Sequence, residues 1–134
     1  MAPTVVLDNE YATLWFRDDA KIVHHKVKKF IHGKTLQDLL TKGYETLKQK
    51  GSKKWLSDDA LNGALLKEDE TWAKSEWFPK VVKAGWKFWA IVLPQQVIGQ
   101  MNMKRFIDDY AKAGITVNVF SDPDKALAWL TSQQ

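Results

Sequence analysis

The chain has 134 residues, 45% of them hydrophobic and 27% charged, with 20 basic against 16 acidic residues, three histidines and no cysteine. That length and balance fit one globular domain, residues 1–134, able to bury its own core, and exclude a disordered or fibrous chain. The lack of cysteine excludes a disulfide scaffold, a thiolate metal site and a cysteine nucleophile. No apolar run approaches the ~20 residues of a membrane span, and the opening Met1-Ala2-Pro3-Thr4 lacks the basic-then-apolar pattern of a secretory signal, so a soluble cytoplasmic protein is the expectation.

Taken in order, Thr4 to Asp8 is a short β-branched run followed by an Asn9-Glu10 turn. Tyr11 to Arg17 alternates, with Leu14 and Phe16 on one face and Thr13, Trp15 and Arg17 on the other. After Asp18-Asp19, Lys21 to Lys29 alternates again, with Ile22, His24 and Lys26 opposite Val23, His25 and Val27. Short turns between three such runs predict an antiparallel meander, and the lysines of the third run suggest a protected edge strand. Leu36, Leu39, Leu40, Gly43, Tyr44 and Leu47 then recur at helical spacing, with Thr35 as expected N-cap, Asp38 in the capping-box position and Gly51 as the stop.

Lys54 to Ser57 reads as a short strand centred on Trp55-Leu56, with a loop from Asp58 to Gly63. A helical segment from about Leu65 to Ala84 contains Pro79, which removes a backbone donor and clashes with the preceding turn. The expectation is a kink, or two helices meeting at Trp77-Phe78 with Pro79 in the first turn of the second. Phe88 to Leu93 is an unbroken apolar run between Gly85 and Pro94, predicting a central strand covered on both faces. Val97, Ile98, Met101, Met103, Phe106, Ile107 and Tyr110 mark a further helix closed by Gly114. Ile115 to Phe120 is a last strand, and Asp122-Pro123 opens a last helix carrying Ala126, Leu127, Trp129 and Leu130 inward. The predicted fold is α/β: a mixed sheet with an N-terminal antiparallel meander, then βαβ units, and four to five helices.

Charge and aromatic content are uneven. Residues 21–54 hold ten lysines against Asp38 and Glu45, while the rest of the chain is net acidic. Such a stretch suits an anionic surface or a solvated face. No stacking module or recognition helix accompanies it, which argues against nucleic acid and leaves peripheral membrane contact open. Four of the seven tryptophans, Trp72, Trp77, Trp86 and Trp89, fall within eighteen residues. They suit a core, an aromatic-lined pocket or a self-association face.

The element order, together with Trp55-Leu56-Ser57-Asp58, Trp77-Phe78-Pro79, Ala90-Ile91-Val92-Leu93-Pro94 and Val119-Phe120-Ser121-Asp122 with the closing Ala126-Leu127-Ala128-Trp129-Leu130, resembles the STAS fold of sulfate-transporter and anti-sigma-factor-antagonist domains. It is more similar still to stand-alone bacterial STAS-like (STAS/SEC14-like) proteins. The resemblance implies a non-enzymatic binding or regulatory module with a protein partner or small-molecule ligand, one form of it being a homodimer through exposed aromatics. The antagonist branch carries a phosphorylatable serine in an Asp-Ser-Ser-Gly-like loop. The corresponding loop here is Asp59-Ala60-Leu61-Asn62-Gly63, without a hydroxyl, which speaks against a phosphoserine switch.

In open α/β sheets ligands bind beyond the carboxyl ends of the strands. That rule selects three loops, Ser57 to Asn62 with Asp58, Asp59 and Asn62, Pro94 to Gly99 with Pro94, Gln95 and Gln96, and Ser121 to Asp124, where Asp122 reads as a cap; Trp77 and Phe78 from the aromatic cluster are wall candidates. Two alternatives accompany the binding module. One is a carrier or sensor of a lipid-like or anionic small ligand, lined by Trp72, Trp77, Phe78 and Trp86. The other is an enzyme using Asp58 or Asp59 as general base. His24 and His25, adjacent on a strand, face opposite ways and share no metal by local geometry. No metal, cofactor or catalytic motif is expected.

Overall fold

The computed structural model describes residues 2–94 and 97–134, without the side chains of 97–100, 102, 103 and 106. Six strands form one sheet: β1 Thr4–Asp8, β2 Ala12–Arg17, β3 Ile22–Val27, β4 Lys54–Asp58, β5 Phe88–Val92 and β6 Thr116–Phe120. Their order in the sheet is their order in the chain, antiparallel from β1 to β3 and parallel from β3 to β6. This is the mixed α/β sheet that the meander and the later alternation predict.

Two positional expectations are corrected. β5 is an interior strand, but the middle of the sheet is β3 and β4. β3 is therefore no edge: β2 pairs with it on one side and β4 on the other, and only Lys26 of its six residues is exposed. Charge alternation marks a solvated position within a strand, whereas edge status depends on pairing partners far away in sequence.

The faces of the sheet are unequal. Leu14, Phe16, Val23, Trp55, Trp89 and Ile91 face the larger core, which is closed by α1 (Gly33–Lys50), by the helical segment from Lys67 to Lys83, and by Tyr110 of α4 (Val97–Lys112). Ile22, Leu56, Ala90 and Val92 face the smaller core, against Ala126 and Leu130 of α5 (Pro123–Ser132). The unbroken apolar reading of β5 follows, since its alternate residues enter different cores.

The segment Lys67–Lys83 shows how Pro79 is accommodated. It runs as α2 (Lys67–Trp72), a wide π-turn over Ala73–Trp77, and α3 (Phe78–Lys83) with Pro79 in its first turn. The Phe78 N–H reaches back five residues to the Ala73 carbonyl. The widening falls where a regular helix would require the missing proline donor. α5 begins as the sequence predicts, with the Asp122 carboxylate accepting the Asp124 N–H at 2.9 Å ahead of Pro123. Met101, one of the apolar residues that mark α4 in the sequence, is 71% exposed.

The start of α1 also differs from expectation. Thr35 lies inside the first turn, the N-cap residue His32 makes no side-chain cap, and Asp38 pairs with Lys34 on the exposed face. Both carboxylate oxygens of the buried Asp69, on α2, accept the Gly33 N–H at 3.1 Å. A cap supplied from another helix satisfies the same orphan donors as a local one and joins the two elements. At the other end Gly51 adopts φ 64°, the left-handed stop that glycine takes without a Cβ penalty.

Three of the four clustered tryptophans are core, together with Trp55, while Trp72 is half-buried at the edge. Trp55, Trp77, Trp86 and Trp89 are at most 5% exposed, with ring centroids 5.3 Å apart for Trp55–Trp77 and 5.4 Å for Trp86–Trp89, in edge-on arrangements. Gly43 of α1 lies directly over Trp55, and a Cβ there would fall onto the ring carbons Cη2 and Cζ2. Gly43→Ala is therefore expected to destabilise by about 1–3 kcal/mol, although alanine is worth up to ~1 kcal/mol more than glycine inside a helix. Urea unfolding monitored by tryptophan fluorescence checks the sign.

Candidate functional site

The carboxyl-terminal halves of β3 and β4, the start of β5 and the elements above them bound a cavity of about 60 Å3. β3 contributes His25 and Val27, β4 contributes Ser57, and β5 contributes Trp89. α1 adds Leu36 and Leu40, the loop after β4 adds Asp59, Asn62 and Leu65, and the π-turn adds Ala73 and Trp77. The wall is mainly hydrocarbon and indole, with four polar residues grouped on the sheet side.

The polar group is ordered by donor-only indoles. The Trp55 Nε1–H donates to His25 Nδ1 at 3.0 Å. An indole cannot accept, so Nδ1 is the unprotonated nitrogen and the proton sits on Nε2. Nε2–H then donates to Asp59 Oδ1 at 2.9 Å. Trp89 Nε1–H donates to Ser57 Oγ at 2.8 Å. His25 and Ser57 are paired in register on adjacent strands, yet both imidazole nitrogens are engaged by Trp55 and Asp59. The serine–histidine contact that activates a hydroxyl nucleophile is therefore not made.

The loop is held at both ends. The Asp59 N–H donates to the Val92 carbonyl at 3.0 Å, which ties it to β5. Asn62 Oδ1 accepts the N–H groups of Gly63 at 2.9 Å and Ile31 at 3.2 Å, which ties it to the chain after β3. Its outer side carries Leu61 and Leu66, exposed next to Phe30, with Lys28 and Lys29 beside them. Those lysines pair with Asp8 and Glu10, each at 2.8 Å, so part of the basic stretch is neutralised within the fold.

The residues singled out in the sequence separate. Asp59, Asn62 and Trp77 line the cavity. Asp58 does not: strand alternation carries it to the face of Leu56, opposite Lys26 of β3. Burial pushes its carboxyl above the usual range, and the neighbouring Asp59 charge adds to this against the Ala60 N–H and Lys26. Phe78 packs on Tyr110 with centroids 4.0 Å apart and belongs to the core. Pro94 is buried outside the cavity lining, and Gln95 and Gln96 lie outside the described residues. Trp86 is core, and Trp72 faces a groove between α1 and α2 lined by Gln37, Tyr44 and Glu76. Trp77 also lines that groove, while neither Phe78 nor Trp86 does.

His25 is absent from the candidates the sequence offers, Ser57 enters them only as the first residue of the loop after β4, and Trp89 only as a member of the aromatic cluster. Their alternation phase was available, but their convergence depends on β3–β4–β5 register, which pairs His25 with Ser57 and Ser57 with Ile91. Among the described residues no group of three or more His, Cys, Asp or Glu is arranged to hold a metal ion, and no helix is long and apolar enough to cross a membrane. No protein-family model matches the chain, and comparison with curated proteins and with solved structures finds no match.

His24, on the other face, accepts from Arg17 Nε at Nδ1 (3.1 Å) and lies 4.9 Å from the Trp15 ring. Burial, with the charges of Arg17 and Lys26, lowers its pKa to about 3. A folded pKa below the unfolded value of about 6.5 means that only the unfolded chain takes up this proton between those values, so stability falls as pH falls through that window. The expected loss by pH 3 is on the order of 4 kcal/mol. His24→Phe should flatten the pH 6.5–3 slope relative to the parent. The raised pKa of Asp58 acts in the opposite direction but is common to both chains. Urea midpoints across this pH range measure the difference.

Proposed function

We propose that this protein is a non-enzymatic, STAS-like binding and regulatory module whose small-molecule site is the cavity between the sheet and α1. The observation that carries this reading is the concentration of His25, Ser57, Asp59 and Asn62 on one wall of an otherwise apolar space. A mostly apolar pocket with a few convergent polar groups is the usual form of a ligand site. Asp59 and Asn62 come from the loop at the carboxyl end of β4, where open parallel sheets gather ligands. The meander followed by strand–helix units supports the STAS-like assignment, and the engaged nitrogens of His25 favour binding over catalysis.

At about 10–15 Å3 for each water-sized group, about 60 Å3 suits a ligand of roughly four to six heavy atoms. That size favours a small metabolite over an acyl chain. The regulatory part of the reading rests on the loop from Asp59 to Leu66. Asp59, Asn62 and Leu65 face the cavity, while Leu61 and Leu66 are exposed on the other side with Phe30. A ligand that reorders the inner residues acts on the same short segment that presents this apolar surface to a partner.

Methyl NMR of the full chain titrated with 1-butanol, butylammonium and butyrate tests the site. At least one probe is expected to shift the Val27, Leu36, Leu40 and Leu65 methyls selectively. Ala73→Leu, which extends a side chain into the cavity from the π-turn, should weaken that response at least tenfold while the amide spectrum remains folded. No selective shift with any of the three probes would overturn the reading.

A further inference from the structure

We propose that the ligand of this cavity is a small organic cation, a primary alkylammonium of about four carbons, paired with Asp59; the proposal rests on the cavity being a ligand site. The argument starts from charge. Asp59 is 7% exposed, and its only ion-pair partner among the described residues is His25. Whether that pair is neutral or anionic depends on how many protons the imidazole carries. The Trp55 indole decides it. Trp55 is 1% exposed, can only donate, and occupies His25 Nδ1. A second proton on the imidazole would need Nδ1 and would break that bond, leaving a buried indole N–H without a partner. With Nε2–H donating to the carboxylate, His25 is neutral and the pair carries one negative charge.

Among the described residues no lysine or arginine lines the cavity to balance it. An uncompensated charge away from water is strongly unfavourable, and an opposite charge within hydrogen-bond reach relieves it. A primary ammonium brings that charge and donors for Asp59. Its alkyl part meets Leu36, Leu40 and Ala73, and the indoles of Trp77 and Trp89 suit either an alkyl chain or the flank of a cation. A carboxylate ligand of the same size would meet Asp59 as a like charge. An alcohol would fill the space and leave the charge unbalanced. Shape admits all three, and charge selects one.

Isothermal titration of the full chain at pH 7 with butylammonium, 1-butanol and butyrate separates them. Butylammonium is expected to bind at least tenfold more tightly than butanol, with butyrate not binding. Asp59→Asn should bring butylammonium down to the butanol level. Butanol binding as tightly as butylammonium, or butyrate binding at all, overturns the cation assignment and leaves the cavity site standing. Binding by none of the three overturns both. Should Asp59→Asn fail to fold, 15N spectra of the His25 ring in the parent chain decide. A neutral ring protonated at Nε2 is expected at pH 7, and an imidazolium overturns the proposal.

Discussion

The indole of Trp55 is the interaction on which most of this structure depends. Its ring fills the space left by the missing side chain of Gly43, meets Trp77 edge-on and lies beside Trp86, so it fixes how closely α1 approaches the sheet. Its single N–H fixes the tautomer of His25, and through His25 the partner of Asp59. Packing and polar chemistry are thus joined in one side chain. A ring shifted by a fraction of an ångström would disturb both the helix–sheet distance and the charge on the cavity wall, because close-packed interiors transmit small displacements.

The parts of the fold that rest on local chemistry were legible in the sequence. Pro123 behind Asp122, Gly51 after a lysine-rich last turn, and the break enforced by Pro79 each act within a few residues, and each stands where those residues place it. What the sequence withheld is non-local. The order of strands cannot be read from strands taken singly, so β3 looks like an edge and β5 like the centre. The cap of α1 comes from Asp69, thirty-six residues beyond Gly33, where no capping pattern would search for it.

The candidate site divides along the same line. The loop after β4 was legible because strand ends in parallel sheets gather ligands, and Asp59 and Asn62 do line the cavity. Asp58 is its neighbour in sequence and faces away, since the alternation of β4 continues through that residue. His25 and Ser57 lie side by side because two strands distant in sequence pair in one particular register, and a shift by one residue would place them on opposite faces.

The sheet order has a consequence for how the molecule is made. Every strand pairs with the strand that precedes it in the chain, from β1 to β6. No strand has to be inserted between two that are already joined. A chain leaving the ribosome can therefore lengthen its sheet one strand at a time, with the newest strand always the open edge. The most hazardous moment comes when β4 has docked and β5 has not yet been synthesised. The row Trp55-Leu56-Ser57 then presents unpaired backbone and bare apolar surface together, and the speed with which the next thirty residues arrive sets how long that edge stands open to other chains.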